Sequence, residues 1–119
     1  FVVSVMRNEG LTEAIAAERA TITRDMVKPQ DLEKACREAG EVGQCTMTAG
    51  MGLGWEVDIM NGVKILDHDG SDWGVKTSAM FVPSQGIGVV VFTNGENGTP
   101  VIRNVVKALY PNKLYVAKM

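Results

Sequence analysis

The segment VKTSAMFVPSQGIGVVVFTNG, residues 75–95, gives the clearest indication of the fold. It contains two runs of mainly β-branched and aromatic residues, which are typical of strands. Pro-Ser-Gln-Gly lies between the runs, and this composition is typical of a tight turn. The segment therefore predicts two antiparallel strands, over 75–83 and 86–95, joined as a hairpin.

A second hairpin is predicted just upstream. Asn61-Gly62 is the strongest short-range hairpin signal, because a type I′ turn needs positive φ at both central residues. The flanking residues, 51–60 and 63–68, are predicted to be its strands. Together the two hairpins make a four-stranded antiparallel meander.

Helices are predicted on both sides of the meander. Apolar residues recur at helical spacing near the start of the chain, and glycine, threonine and aspartate lie at positions typical of helix caps. A last helix is predicted after the final strand, with Thr99 as its cap and Pro100 in its first turn. The fold class is therefore α+β. Thr23 is the predicted cap of the third helix, and Asp31 and Gly40 are the predicted caps of the fourth. The predicted helices cover 1–10, 12–20, 24–28, 31–39 and 101–110. Residues 41–50 are predicted to be a loop.

Composition excludes several function classes. The 119 residues carry 12 basic and 14 acidic side chains, a net charge of −2, without the basic block that a nucleic-acid surface needs. No apolar run is long enough to predict a membrane span. With one histidine, His68, and two cysteines, Cys36 and Cys45, a four-ligand zinc site of the usual kind is excluded. We interpret the cysteines as two buried thiols, and the alternative is a single disulfide if the protein is exported.

Two features suggest that residues 1–119 form one unit of a larger domain. The chain begins at Phe1, inside a helical pattern without a cap. The run IGVVVF, residues 87–92, is apolar at nearly every position, which predicts that both faces of its strand are covered. We expect 1–48 to be mainly helical, 49–119 to form the sheet and last helix, and further chain to complete the domain.

The sequence HDGSDWG, residues 68–74, is the candidate site. His68 is predicted at the end of a strand, where it could hydrogen-bond or transfer a proton near neutral pH. Gly70 would let another chain or a substrate approach the backbone. The amide of Ser71 would then be free to donate to an oxyanion. A structural histidine at a strand end is the alternative.

These residues lie in a longer stretch that resembles a known family. MGLGWEV, residues 51–57, and ILDHDGSDWGVKTSAMFVPSQGIGVVVFTNGENG, residues 65–98, are similar to the C-terminal region of the serine β-lactamase-like family. That family includes class C β-lactamases, D-Ala-D-Ala carboxypeptidases, D-aminopeptidases and related esterases. The resemblance covers about residues 50–110.

The resemblance implies a role for each residue of the candidate site. His68, Asp69 and Gly70 match the third family motif, His-x-Gly or Lys-Thr-Gly. Ser71 matches the residue whose amide contributes to the oxyanion hole, so His68, Gly70 and Ser71 are the implied catalytic positions. Asp69 and Trp73 are the implied substrate-binding positions.

The sequence departs from the family pattern at several points. Met51 replaces an aromatic residue, and the carboxylate of Asp69 would disfavour a substrate that carries its own carboxylate. The family nucleophile belongs to Ser-x-x-Lys, and no serine of this chain has a lysine three residues later. Tyr110-Pro111-Asn112 spells Tyr-x-Asn but follows the third motif, so we interpret it as chance.

The resemblance implies a serine hydrolase that acts on an ester, amide or lactam through an acyl-enzyme, with its nucleophile upstream of Phe1. It implies no metal and no organic cofactor. The expected partners are a small-molecule or peptide-like substrate and the N-terminal part of the domain. It also implies a periplasmic or secreted location. The alternative is a non-catalytic module that self-associates through the strand edge GIGVVVFTN, residues 86–94.

Overall fold

The computed structural model describes residues 1–41, 43 and 45–119, and its architecture is α+β, as predicted. An antiparallel sheet forms its centre, with strands in the order β1-β2-β3-β4-β5. The strands are β1 Met47–Met51, β2 Glu56–Met60, β3 Val63–Asp72, β4 Val75–Val82 and β5 Ile87–Thr93. The helices are α1 Val2–Met6, α2 Glu13–Arg19, α3 Pro29–Ala39, α4 Gly98–Leu109 and α5 Lys113–Lys118.

Both predicted hairpins are present. Asn61 and Gly62 have φ of 49° and 81°, which is the conformation that a type I′ turn requires. A short 3₁₀ turn, Pro83–Gln85, joins β4 to β5, and Gly86 follows it with φ of 65°. The chain therefore reverses where its turn residues predict, and each strand pairs with its neighbour in sequence.

The sheet has five strands, one more than predicted. The additional strand, β1, lies within the segment predicted to be a loop, of which Val42 and Gln44 lie outside the described residues. The segment predicted as one strand over 51–60 divides, because the chain turns after Met51 and β2 begins at Glu56. Pairing with β2 holds residues 47–51 in a strand, although their sequence pattern did not indicate one.

The predicted helix over 24–28 does not form. The amides of Thr23 and Met26 instead donate to the carbonyls of Met51 and Ala49, at 3.2 and 2.7 Å. A side chain at Gly50 would clash with the carbonyl oxygen of Arg24, so the glycine permits this close approach. Contacts with a distant strand override a weak local helical preference, and they cover part of the outer edge of β1.

The observed helix ends also differ from the predicted ones. The helix α3 begins at Pro29, so Asp31 lies in its first turn rather than at its cap. The helix α4 begins at Gly98, which places Thr99 and Pro100 inside its first turn. The short helix α5 was not predicted from the sequence. The side chain of Asn112 caps it by accepting a hydrogen bond from the Tyr115 amide at 2.9 Å.

The two faces of the sheet have separate cores. On the face that we call the α4 face, residues of α3, α4 and α5 pack against the strands. On the face that we call the α1 face, Trp55, Val57, Leu66 and Phe81 pack against α1 and the residues after α2. Side chains of a strand alternate between these faces, so each β3 residue can be assigned to one of them.

Among the described residues, the strand β5 is buried on the α4 face and largely exposed on the α1 face. The expectation that further chain covers the second face stays a prediction. Val89 and Val91 are buried beneath α4, whereas Val90 and Phe92 are 43% and 78% exposed on the α1 face. Residues of α1 approach this side of β5 close to Gly88.

Cys36 and Cys45 form a disulfide, so the interpretation as two buried thiols is wrong and the alternative is confirmed. The bond links the C-terminal part of α3 to the residues before β1. Both half-cystines are partly buried and pack against the core of the α4 face. None of the described helices is long and apolar enough to cross a membrane.

Candidate functional site

The C-terminal half of β3 is the part of the sheet where the predicted site residues lie. The pairing of β2 with β3 ends at Glu56 and Asp67, whereas the pairing of β4 with β3 continues to Asp72. Residues 68–72 therefore have a strand neighbour on one side only among the described residues. His68 lies within the strand, which continues for four residues beyond its predicted end.

The backbone of Ser71 points towards this unpaired edge. Lys76 directs its amide and carbonyl away from β3, because the Oγ1 of Thr93 on β5 accepts from the amide and donates to the carbonyl, at 3.3 and 2.8 Å. Ser71 lies directly opposite Lys76. In an antiparallel ladder, opposite residues either exchange both hydrogen bonds or point both groups outward. The N–H of Ser71 is therefore directed at the open edge.

His68 lies on the α1 face and is exposed. Its ring lies at the edge of the Trp55 ring, with 6.5 Å between centroids and an interplanar angle of 82°. Trp55 in turn packs edge-on against Phe81, at 5.0 Å. A buried aromatic pair thus supports the imidazole from below and leaves its outer side accessible.

Gly70 lies two residues further along the same face. A Cβ at this position would clash with the Oγ1 of Thr77, its partner on β4. The glycine therefore makes room for a neighbouring side chain of its own sheet. It is not in a positive-φ conformation, so the steric contact with Thr77 is the local reason for glycine here.

The side chains of Asp69 and Ser71 lie on the other face of the sheet. With residues of α4 and α5 they line a cavity of about 390 Å³ on the α4 face. The Nζ of Lys76 donates to the Oγ of Ser71 at 2.6 Å. The structure therefore brings His68 and Gly70 together but directs the Asp69 carboxylate away from them.

Trp73 and Gly74 form the two-residue turn between β3 and β4. The indole of Trp73 is 94% exposed and lies outside both cores. Glu96 braces this turn, because it accepts from the Gly74 amide at 2.6 Å and pairs with Lys76 at 3.3 Å. The hydrogen bond from Gly74 lowers the pKa of Glu96 most, and the interaction with Lys76 lowers it further.

A buried ionic cluster lies beneath the site, and the sequence analysis missed it. Lys118 of α5 contacts three carboxyl groups, with Nζ at 2.5 Å from Glu56, 2.6 Å from Asp58 and 3.9 Å from Asp67. The hydroxyl of Tyr115 donates to Asp67 at 2.8 Å. Acidic residues within two adjacent strands were the available signal, but their lysine partner is about fifty residues or more away in sequence.

The cluster shifts the pKa values of its members. Burial raises the pKa of Asp67 to about 7, although the positive charge of Lys118 opposes the shift. Burial also raises the pKa of Asp58, and one of its oxygens has no hydrogen-bond donor. Burial lowers the pKa of Lys118, but the charges of Asp58 and Asp67 outweigh this effect and raise it. The ammonium therefore stays charged.

Among the described residues, Glu56, Asp58 and Asp67 are the acidic groups whose oxygens lie close enough together to hold a metal ion, within 4.8 Å of one another. The ammonium of Lys118 already supplies positive charge to them. This arrangement provides counter-charge without requiring a metal.

The fold and the motif define a class. The structure combines an α+β fold, an antiparallel meander that carries His68-Asp69-Gly70 on β3, and a helix after the last strand. The resemblance implied the same fold class, with this motif at the end of the second predicted strand. A family model described as Beta-lactamase matches residues 16–109 of the chain. The chain therefore belongs to the beta-lactamase family. No match was found among curated proteins or among solved structures.

Proposed function

We propose that this chain is the C-terminal part of a serine hydrolase that cleaves an ester, amide or lactam through an acyl-enzyme. In this proposal a serine upstream of Phe1 attacks the carbonyl. The Ser71 amide donates to the oxyanion that forms, and His68 borders the leaving group. The observation that carries the proposal is the open edge of β3, onto which the Ser71 amide is directed.

The arrangement of charges and surfaces supports this assignment. A backbone amide stabilises an oxyanion best when no strand already uses it, and residues 68–72 meet this condition on one side. The exposed imidazole of His68 lies beside the same stretch, on the α1 face. That face also carries the uncovered side chains of Val90 and Phe92, which fit a covering lobe.

The position of Asp69 affects which substrates we expect. Asp69 points to the α4 face, away from His68. A substrate carboxylate bound beside His68 would lie on the other face of the sheet from the Asp69 charge. The repulsion that the sequence analysis expected between these two charges is therefore weaker. We keep the substrate class at ester, amide or lactam carbonyls.

The experiment uses the reading frame extended upstream of Phe1 to include Ser-x-x-Lys and Tyr-x-Asn. The purified protein is assayed with nitrocefin and p-nitrophenyl acetate. Ser71→Pro removes the proposed oxyanion donor, and it breaks no β2–β3 hydrogen bond because this edge is unpaired. We expect kcat to fall about 100- to 1,000-fold. Ser71→Ala keeps the amide and is the matched control, with kcat close to that of the unmodified protein.

Two results would contradict the proposal. One is a folded Ser71→Pro protein with unchanged kcat, and the other is an equal loss of kcat in Ser71→Ala. The 119-residue chain alone is expected to turn over neither substrate. If it does, and Ser71→Ala abolishes the activity, the nucleophile is Ser71 itself and not an upstream serine.

A second candidate function is a non-catalytic module that associates through its sheet. The outer edge of β5 has no strand partner in the described part of the chain, and Phe92 is exposed beside it. The two candidates differ in the upstream coding sequence. An in-frame Ser-x-x-Lys favours the hydrolase, whereas a start codon close to Phe1 favours the module.

A further inference from the structure

The helix α5 packs against α3, and two sets of contacts attach it to the sheet: one apolar contact surface and one ionic cluster. Leu114 and Tyr115 are buried in the core of the α4 face. Lys118, one residue before the end of the chain, reaches across β2 to Glu56 and Asp58. The Tyr115 hydroxyl reaches Asp67 on β3. Most polar contacts between α5 and the sheet therefore end on buried carboxyl groups.

The cluster contains more acid than base. Three carboxyl groups face one ammonium, and Asp58 and Asp67 are 0% and 7% exposed. Two ionised carboxylates buried side by side with one counter-ion are unfavourable, because burial removes the water that would stabilise the second charge. A proton on Asp67 relieves this conflict while α5 stays docked, and removal of α5 relieves it by letting water reach Asp67.

We propose that α5 is a proton-controlled latch: loss of the proton on Asp67 releases α5 from the sheet. Release opens the cavity of about 390 Å³ on the α4 face, because Tyr115, Lys118 and Met119 form part of its wall. Asp69 and Ser71 also line this cavity, so the latch controls access to the face of β3 that lies opposite His68. This inference does not depend on the proposed hydrolase activity.

The surrounding charges agree in sign with this mechanism. The pKa of Asp67 is raised to about 7, and burial is the largest cause. Tyr115 keeps its proton throughout, because burial and the nearby carboxylates raise its pKa. Lys118 stays positive for the reason given above. The charged or titratable groups that face Asp67 are Glu56 and Asp58 of β2, Asp69 of β3, Tyr115 and Lys118 of α5 and, across the cavity, Lys76 of β4 and Arg103 of α4.

The expected size of the effect follows from linkage. Docked Asp67 has a pKa of about 7, and undocked Asp67 returns towards its ordinary value of 3.8. Between pH 6 and pH 8 the docked form loses its proton, whereas the undocked form is already ionised. The opening equilibrium of α5 therefore rises about tenfold over this range.

The test is hydrogen exchange of the backbone amides of residues 113–119 in the whole chain at pH 6 and pH 8. Rates are corrected for the intrinsic dependence of exchange on pH. We expect about tenfold more opening at pH 8. Asp67→Asn mimics the protonated carboxyl and can still accept from Tyr115, so it should show no such increase. Asp69→Asn, on the same strand and face, is the matched control and should respond as the unmodified protein does.

The proposal is overturned if exchange of 113–119 is equal at the two pH values. It is also overturned if Asp67→Asn keeps the full increase. A carbon-13 NMR titration of the Asp67 carboxyl in the unmodified chain provides a measurement that needs no folded variant. A midpoint near 7 supports the latch, whereas a midpoint below 5 rejects it.

Discussion

Gly70 is a residue whose identity the sheet explains without reference to a substrate. Its backbone lies against the hydroxyl of Thr77 on the adjacent strand, and any side chain would overlap that hydroxyl. The family motif places a glycine here, and the sequence suggests close approach by another molecule. In the structure the close approach is made by Thr77, a residue of the same chain.

We therefore expect Gly70→Ala to destabilise the fold through overpacking against Thr77. The expected loss is about 1–3 kcal/mol of the free energy of unfolding, which is typical of a forced clash. Thr77→Ala removes the clashing hydroxyl, so Gly70→Ala should cost much less in that background. Urea denaturation of the four proteins of this double-mutant cycle measures the coupling.

One result of this double-mutant cycle would contradict the prediction. If Gly70→Ala costs the same with and without the Thr77 hydroxyl, the contact with Thr77 is not the reason for glycine. Thr77→Ser, which keeps the hydroxyl and loses only a methyl group, is the matched control. It should retain the penalty of Gly70→Ala.

At the scale of elements, the hairpins were predictable because their signals are local. Asn61-Gly62 and Pro83 with Gly86 carry their conformational preferences in two to four residues. The strand β1 and the coil over 24–28 were not predictable in this way. The coil depends on hydrogen bonds between segments more than twenty residues apart, such as that from Met26 to Ala49. The strand β1 depends on its pairing with β2, which no turn signal between the two strands indicated.

The candidate site was also predictable only where its signals are local in sequence. His68, Gly70 and Ser71 were found because they form a contiguous motif within a recognisable stretch. The face to which each side chain points depends on the register of β3 with β4, and the sequence predicted β3 too short. The ionic cluster was missed because Lys118 lies about sixty residues from Asp58. Spacing in sequence carries no signal for such a contact.

The disulfide is the one covalent link between elements, and we expect it to stabilise the fold. Cys36 and Cys45 are nine positions apart. Closing a loop of this length restricts the unfolded chain by about 2–3 kcal/mol in the chain-entropy model. The variant Cys36→Ala/Cys45→Ala should lose that amount in urea denaturation.

Reductant provides the control for this measurement. It should destabilise the unmodified protein by a similar amount and leave the double variant unchanged. Equal stability of the oxidised and reduced protein would mean that the link does not constrain the unfolded state.

At the scale of the whole molecule, the sheet is covered unevenly. The α4 face is packed beneath three helices, whereas the α1 face is covered only near α1 and the residues after α2. Among the described residues, the uncovered part of the α1 face lies on β5 and at the start of β4, and β5 also has an open edge. A surface that is both apolar and able to extend a sheet favours association with another chain.

This surface predicts concentration-dependent self-association of the 119-residue chain. Phe92 and Val90 are 78% and 43% exposed there, so Phe92→Lys and Val90→Lys should each shift the chain towards monomer, because a buried lysine ammonium would lose its hydration. Leu109→Lys is the matched control, since Leu109 is 61% exposed on α4, away from β5. It should leave association unchanged. Light scattering across a dilution series measures the effect. A clean monomer at every concentration, or an equal effect of Leu109→Lys, would show that β5 does not mediate association.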